Sequence, residues 1–543
     1  MPKVKVKVPH RSGFDKSHKN LLTATVGTLV PILCDELIPN TKVHLASAIS
    51  ACLPPLATDT FMRVNLKVEA FFVPTRLLYG GFEPWLTKEP LRNLSTQVPC
   101  YAKIPVVNRL ASTGSQTYDP YYVSGTLADY LGIKYETSGV AYSGSQLLNI
   151  FPFLAYHKIW SDMYRNTNIQ ADCFCKPLLQ ADSGQIRIYN MPYVVFDNSV
   201  DNTNPTFTLN AQLADGVHLG DLRQRNFGFD YFTGAFNAPQ RGDALKVSID
   251  TSDDTFTIAA LRAANSLQQF AERNQMAGYR LQDFVKANYG ADLSNGVAQR
   301  TIYLGSGEIP VYNKGVYQTA PNRISFAGAE NGNPFSGPPA ADQFGQAAKF
   351  GDASANGKLS LVDNFVAQEP GYLMVLASLV PVVTYASGVD RRMLRYNSQD
   401  SQTDLATPLL QNVGNQPIMA VELTGVPSNG VFGYTDRYAD FKHINDQLHG
   451  LVRDGESMEA FALQRTVTGN PQISSSFLEI PKDYMDQVTV VKAWLSQYGV
   501  WIDSFFDYKV SMPLAEYSIP SLQDPAYEHG EDVLLDLNGS KIN

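Results

Sequence analysis

Charge is scarce in this 543-residue chain: Asp, Glu, Lys and Arg make up 17% of it, against about 25% in ordinary soluble domains. A surface so poor in charge is expected to be covered by something besides water. Cysteine is scarce too. Five cysteines, at 34, 52, 100, 173 and 175, form an odd set that excludes a disulfide scaffold. The one close pair, Cys173-Phe-Cys175, lacks the second cluster that a structural metal site needs. No run is long enough to span a bilayer. The best candidate, PGYLMVLASLVPVVTYASGV at 370–389, is strongly apolar over only about 13 residues, below the ~18–20 required, and predicts a buried strand. No apolar stretch follows the charged opening MPKVKVKVPHR, so no signal peptide is expected, and the chain reads as a soluble cytoplasmic product.

What is abundant points to sheet. Hydrophobic residues make up 44%, with 28 Phe, 28 Tyr, 39 Gly and 32 Pro, a composition of strands joined by turns. The stretch FMRVNLKVEAFF (61–72) alternates, with Met62, Val64, Leu66, Val68, Ala70 and Phe72 on one face and Arg63, Asn65, Lys67 and Glu69 on the other, which predicts a strand ended by Pro74. VTVVKAWL (488–495) and FFDYKVSM (505–512) add sheet near the far end. Distant strands suggest one closed sandwich, residues 26–520, rather than a string of domains. Helical insertions are expected at 125–165, with Phe153, Tyr156, Trp160 and Tyr164 on one face, and at 257–290, capped by Thr257 and stopped at Gly278. The Gly-, Ala- and Pro-rich stretch 320–357 reads as loop.

Catalytic patterns fail on inspection. GDASANGKLS (351–360) has five residues between its glycines where a phosphate loop has four, and Leu359 stands where a metal-binding hydroxyl belongs. His443 and His449 lie six apart, off any single helical face. His157 sits on the aromatic helix and is expected to be packed or hydrogen-bonded. The acidic pairs Asp35-Glu36 and Asp253-Asp254 fit solvated loops, and Arg241-Gly242-Asp243 fits a turn. No catalytic, cofactor or metal site is expected.

The two ends differ in sign. Residues 1–25 form a basic arm with Lys3, Lys5, Lys7, Arg11, Lys16 and Lys19 against Asp15, and residues 521–543 form an acidic tail with Asp524, Glu528, Glu531, Asp532 and Asp536 against Lys541. As a strand, KVKVKV sets three ammonium groups opposite three valines. It fits phosphate contact without base reading, and equally a charged edge that resists aggregation.

Several stretches, in order, resemble the major capsid protein of the Microviridae, most closely its gokushovirus-like branch. They include RSGFDKSHKN, FMRVNLKVEAFFVPTRLLYGGFEPWL, GTLADYLG, FPFLAYHKIWSDMYRNTNIQ, DYFTGAFNAPQRG, TIAALRAANSLQQFAERNQMAGYR, YASGVDRRMLRY, GYTDRYADFKH and SFFDYKVSMPLAEYSIPSL. The resemblance implies an all-β core, an eight-stranded antiparallel jelly roll of viral capsid type with long loop and helical insertions. It implies a homo-oligomer: pentamers and a small icosahedral T=1 shell of about sixty copies, assembled in a bacterial cytoplasm around circular single-stranded DNA. Implied partners are a small basic DNA-binding packaging protein, a pilot protein and a host surface receptor, with no membrane insertion. Lys3, Lys5, Lys7 and Arg11 become the expected nucleic-acid contacts. DYFTGAFNAPQ (230–240), apolar and without reactive groups, becomes an expected subunit interface through Tyr231, Phe232, Phe236 and Pro239. The segment between Arg241 and Thr257 is short where many relatives carry a three-fold protrusion. A β-rich carbohydrate-active enzyme, or a polymeric nucleic-acid-binding protein without a closed shell, stays open from the residues alone.

Overall fold

The computed structural model describes residues 11–79, 123–133, 146–174, 209–239, 258–319, 348–395, 414–489 and 499–514 almost without interruption, and several short segments between and beyond them. In chain order the strands used below are β1 (Val4–Lys7), β2 (Ser12–Asp15), β3 (His18–Ala24), β4 (Val30–Leu37), β5 (Lys42–Cys52), β6 (Val64–Pro74), β7 (Ile302–Pro310), β8 (Tyr312–Thr319), β9 (Ala348–Val366), β10 (Gly371–Pro381), β11 (Gln416–Met419), β12 (Val431–Thr435), β13 (Val500–Met512) and β14 (Asp532–Leu535). The helices are α1 (Phe151–Ile159), running into a π turn at Trp160–Tyr164, α2 (Ile258–Ala277), α3 (Leu281–Tyr289) and α4 (Ala420–Thr424).

Two antiparallel sheets share the main core. One has the order β7-β6-β10-β4; the other runs β8-β9-β5-β13-β2, with β3 also on β13. The alternation in β6 places Val64, Leu66, Val68, Ala70 and Phe72 in the core between the sheets, together with Val43, Leu45, Ile502 and Phe506 of the opposite sheet. Its other face does not stay polar: Phe71 and Val73 enter a second core against α1.

Strand β10 explains the membrane-like run. All eleven of its residues are buried, with Leu373, Val375 and Leu379 in the first core and Tyr372, Met374 and Leu376 in the second. A strand covered on both faces needs no polar alternation, and each such side chain contributes about 1.5–3 kcal/mol by burial. Among the described residues no helix is long and apolar enough to cross a membrane.

Helix α1 starts where the Asn149 carboxamide accepts from the Phe151 N–H at 3.0 Å and donates to Tyr372 Oη at 2.8 Å. Phe153, Tyr156 and Trp160 are buried in the second core, as their spacing predicts. Helices α2 and α3 occupy 258–277 and 281–289, with Gly278 at φ +101° between them.

Two boundaries are corrected. The basic arm is shorter than 25 residues, because β2 and β3 are hydrogen-bonded to β13 in the register Ser12↔Met512 and Ala24↔Val500. The expected loop 320–357 ends early: Ala348–Gly357 belongs to β9, paired with β5 and β8, while 320–347 lies outside the described residues. Its small residues serve close approach. A Cβ on Gly357 would stand 2.8 Å from Ile309 Cδ1, and one on Gly307 would stand 2.4 Å from Leu359 Cδ2. Glycine lets β7 of one sheet crowd β9 of the other, so a composition that reads as loop is a sheet corner.

Candidate assembly and nucleic-acid surfaces

The apolar segment 230–240 is organised by its one charge. Asp230 Oδ1 accepts from the backbone N–H of Phe232 and of Thr233, each at 2.8 Å. Asp230 Oδ2 accepts from Tyr385 Oη at 2.8 Å. Phe232 packs edge-on to Tyr385 at 4.8 Å and to Phe432 at 6.1 Å, while Tyr231 Oη donates to Glu422 Oε2 at 3.0 Å. Tyr231 and Phe232 are 8% and 3% exposed and belong to a third core of their own chain. In the single subunit they are therefore engaged already. Phe236 is half-buried and bridged through its backbone to Tyr434, and Pro239 is exposed. The large apolar side chain left open beside the segment is Phe229, 85% exposed.

The basic arm is extended, as its alternation predicts, and it has a backbone partner. Strand β1 pairs antiparallel with β14 of the acidic tail, with Lys5 opposite Leu534 and Lys7 opposite Asp532. The register Ser12↔Met512 explains the meeting, because the start of β2 and the end of β13 lie side by side, so both terminal segments leave the six-stranded sheet at the same end of this strand pair. Lys3 lies outside the described residues. Arg11 donates to the carbonyls of Asn40 at 2.8 Å and Ser511 at 3.3 Å. Lys16 pairs with Asp35 at 2.5 Å and Lys19 with Asp503 at 2.9 Å. The fold thus holds Arg11, Lys16 and Lys19 in place, and leaves Lys5 and Lys7 on the terminal strand.

A polar cluster that resembles catalytic machinery is sealed. His157 Nδ1 accepts from Arg223 Nε at 2.9 Å, and because a guanidinium only donates, Nε2 carries the ring proton toward the Leu219 carbonyl at 3.0 Å. Arg223 pairs with Asp215 at 2.5 Å and lies 4.3 Å over the Trp160 ring. His157 is fully buried. Burial first, and then the Arg223 charge, hold its pKa well below 6.5. An unfolded chain takes a proton here below that pH and the folded chain does not, so stability falls as the solution is acidified. The stability difference between wild type and H157Q, read from urea midpoints, should shrink by about 1 kcal/mol between pH 6.5 and 5.5; a constant difference would mean that the ring is reached by solvent.

The other candidate groups are structural. Burial pushes the Cys34 thiol up to about 12 and Cys173 higher still, while Cys175 lies outside the described residues. Asp35 is taken by Lys16 and Tyr508. His443 and His449 line an open cavity of about 600 Å³ with Asp390, Arg453 and Phe441, but no group of three metal-ligating side chains occurs among the described residues. GDASANGKLS is strand β9, not a phosphate loop. Arg241-Gly242-Asp243, Asp253 and Asp254 lie outside the described residues. Sequence reasoning missed the buried ion pairs Arg223–Asp215 and Arg225–Glu69, for which two arginines set between Leu222 and Phe227 in LGDLRQRNFGF (219–229) were the available signal.

Comparison with known proteins agrees with a structural reading of these groups. The family model described as capsid protein (F protein) matches residues 3–522. The capsid protein VP1 of Chlamydia phage 1 is 23% identical, over 94% of this chain and 96% of its own length. That of Bdellovibrio phage phiMH2K is 24% identical over 94% and 95%, and that of Spiroplasma virus 4 is 22% identical over 96% of each. The family is structural rather than enzymatic, which removes the carbohydrate-active alternative. With a matched span that takes in both sheets, all three cores and the strand pair from which the terminal segments leave, this chain belongs to the phage capsid protein (F protein) family.

Proposed function

We propose that the chain is the major capsid protein of a small phage, folded as a jelly roll and closed into a T=1 icosahedral shell of about sixty copies around circular single-stranded DNA. The observation that carries the fold is the connectivity. Successive strands β4, β5 and β6 alternate between the two sheets, as do β7 and β8, and β9 and β10, which is how two sheets are wound in a jelly roll. The family supplies the shell; the exposed apolar side chains of the free subunit supply surface for its contacts, Phe229 and Pro239 among them. Localisation is then the virion, assembled in the host cytoplasm. A separate small basic protein, a pilot protein and a host receptor complete the set of partners.

The arm gives the shell a local route to DNA that a net charge of −9 does not provide. Lys3, Lys5, Lys7 and Arg11 serve phosphates without reading bases, and β14, a strand of the acidic tail, is the arm's partner in the free subunit. Expression of the chain with its DNA should give closed particles by electron microscopy. In the triple variant Lys3→Gln, Lys5→Gln, Lys7→Gln, shells should still form, while the salt dependence of DNA retention should flatten by about 0.7 in slope for each phosphate that the arm no longer neutralises. A wild-type chain that yields only monomers would overturn the shell; an unchanged salt slope would overturn the arm's role alone.

A further inference from the structure

Helix α2 is unusual in its surroundings. It has 20 residues, about 30 Å of helix, yet the described body of the chain holds it mainly at its last turns. There Asn274 and Gln275 are buried, Asn288 donates to Asn274 Oδ1 at 2.8 Å, and Gln275 donates to the Ala238 carbonyl at 3.0 Å. From Ile258 to Phe270 the described side chains are exposed, apart from the half-buried Ala264 and Gln268.

The sequence of α2 is not that of a solvated helix. Its three charges, Arg262, Glu272 and Arg273, fall within about 100° of one another on a 3.6-residue repeat. The rest of the circumference carries no charge at all, and Ala259, Ala263, Leu267 and Phe270 lie on it within about 80° of one another. Leu267 is 54% exposed and Phe270, although its ring meets Phe284 at 6.1 Å, is 46% exposed. With Ala259 and Ala263 between them these side chains leave roughly 300 Å² of apolar surface open, the scale of the largest patch on an ordinary monomer, which is often functional. Leu281 of α3, 60% exposed, extends the same hairpin. Alanines between the larger side chains allow another backbone to approach closely.

We infer that the charge-free side of α2 is an intersubunit contact, occupied by a second copy of this chain. The occupant follows from three features of the helix and its family. The patch has no charge to select an acidic or basic partner, its side chains are those of an interior, and the family to which the chain belongs builds itself into shells. The inference rests on the shell reading and adds the element that makes the contact.

Leu267→Lys sets an ammonium group in the middle of that side, and Gln269→Lys sets the same group on the charged side as a control. Closed particles should fall at least ten-fold in yield for L267K and stay at the wild-type level for Q269K, with unchanged circular dichroism of the free subunits. Wild-type yield from L267K would overturn the contact. If L267K subunits prove unfolded, hydroxyl-radical labelling of the wild type decides: Leu267 and Phe270 should be protected in particles relative to free subunits, and equal labelling overturns the inference. Absence of particles from the wild type would sink the shell reading, and the α2 contact with it; particles that form normally with L267K sink only the contact.

Discussion

Glu69→Ala should cost the free subunit about 3–5 kcal/mol, the range for removing one partner of a buried ion pair. Glu69 lies on β6 and points away from the core between the sheets. Its Oε2 accepts from Arg225 Nη1 at 2.5 Å and its Oε1 from Nη2 at 3.3 Å, a two-point pairing. The two side chains are 16% and 15% exposed, respectively. Tyr164 Oη donates to the same Oε2 at 2.5 Å, and the Arg225 guanidinium lies 5.0 Å over the Tyr164 ring. Burial, and then the Glu69 charge, push the Tyr164 phenol well above its usual range, so it stays a donor at any ordinary pH.

The pair also fixes the chain around it. The Arg225 N–H donates to the Gly27 carbonyl at 2.7 Å, and its own carbonyl accepts from Ile480 at 2.9 Å. Alanine at 69 would leave a guanidinium enclosed beside Tyr164 and Ser378 Oγ without the carboxylate that neutralises it. Glu69→Gln keeps the shape and an acceptor and should lose less. Urea midpoints of the free subunit at unchanged slope give the comparison. A loss under about 1 kcal/mol for the alanine variant would show that water enters and the pair behaves as a surface one.

What the sequence reveals and conceals follows from the range of each contact. Strand β6 is legible because the period of two is local: Val64, Leu66 and Val68 declare a buried face without reference to anything else. Strand β10 is legible as buried, although not which cores it separates, because a run apolar on both faces carries no direction. The start of β9 is hidden. Gly357 and its neighbours are small for the benefit of Ile309 on the other sheet, and their local composition is that of a loop. The segment 230–240 is ambiguous for the same reason at longer range. Its partners Tyr385 and Glu422 lie 155 and 191 residues away, so nothing near it in sequence tells an interior aromatic from an interfacial one. Helix α2 is the converse case. Its pattern reads as a helix, yet only the structure shows how open its charge-free side stays among the described residues.

Glu422→Ala should destabilise the subunit by a similar margin, about 3–5 kcal/mol, and through the same segment whose composition suggests a surface. Glu422 is on α4 and its side chain is 4% exposed. Its Oε1 accepts from Arg391 Nη1 at 3.1 Å and from the Met419 N–H at 2.9 Å. Its Oε2 accepts from Tyr231 Oη at 3.0 Å. Burial raises the carboxyl above its usual range while the Arg391 charge opposes the rise. The phenol of Tyr231 is raised by burial and by the Glu422 charge. One carboxylate therefore answers a helix start, a buried arginine and the ring that anchors 230–236. Removing it takes this acceptor from the Tyr231 hydroxyl and this anion from Arg391, whose Nη1 keeps the Pro417 carbonyl at 2.7 Å. Tyr231→Phe removes only the hydroxyl and its hydrogen bond, and should cost about 1 kcal/mol. If Tyr231 instead served a neighbouring subunit, Y231F and E422A would leave the free subunit as stable as wild type and act only on assembled particles. Urea titration of free subunits beside dissociation of particles separates the two outcomes: the buried network requires E422A to fall well below Y231F in the free subunit, before any shell has formed.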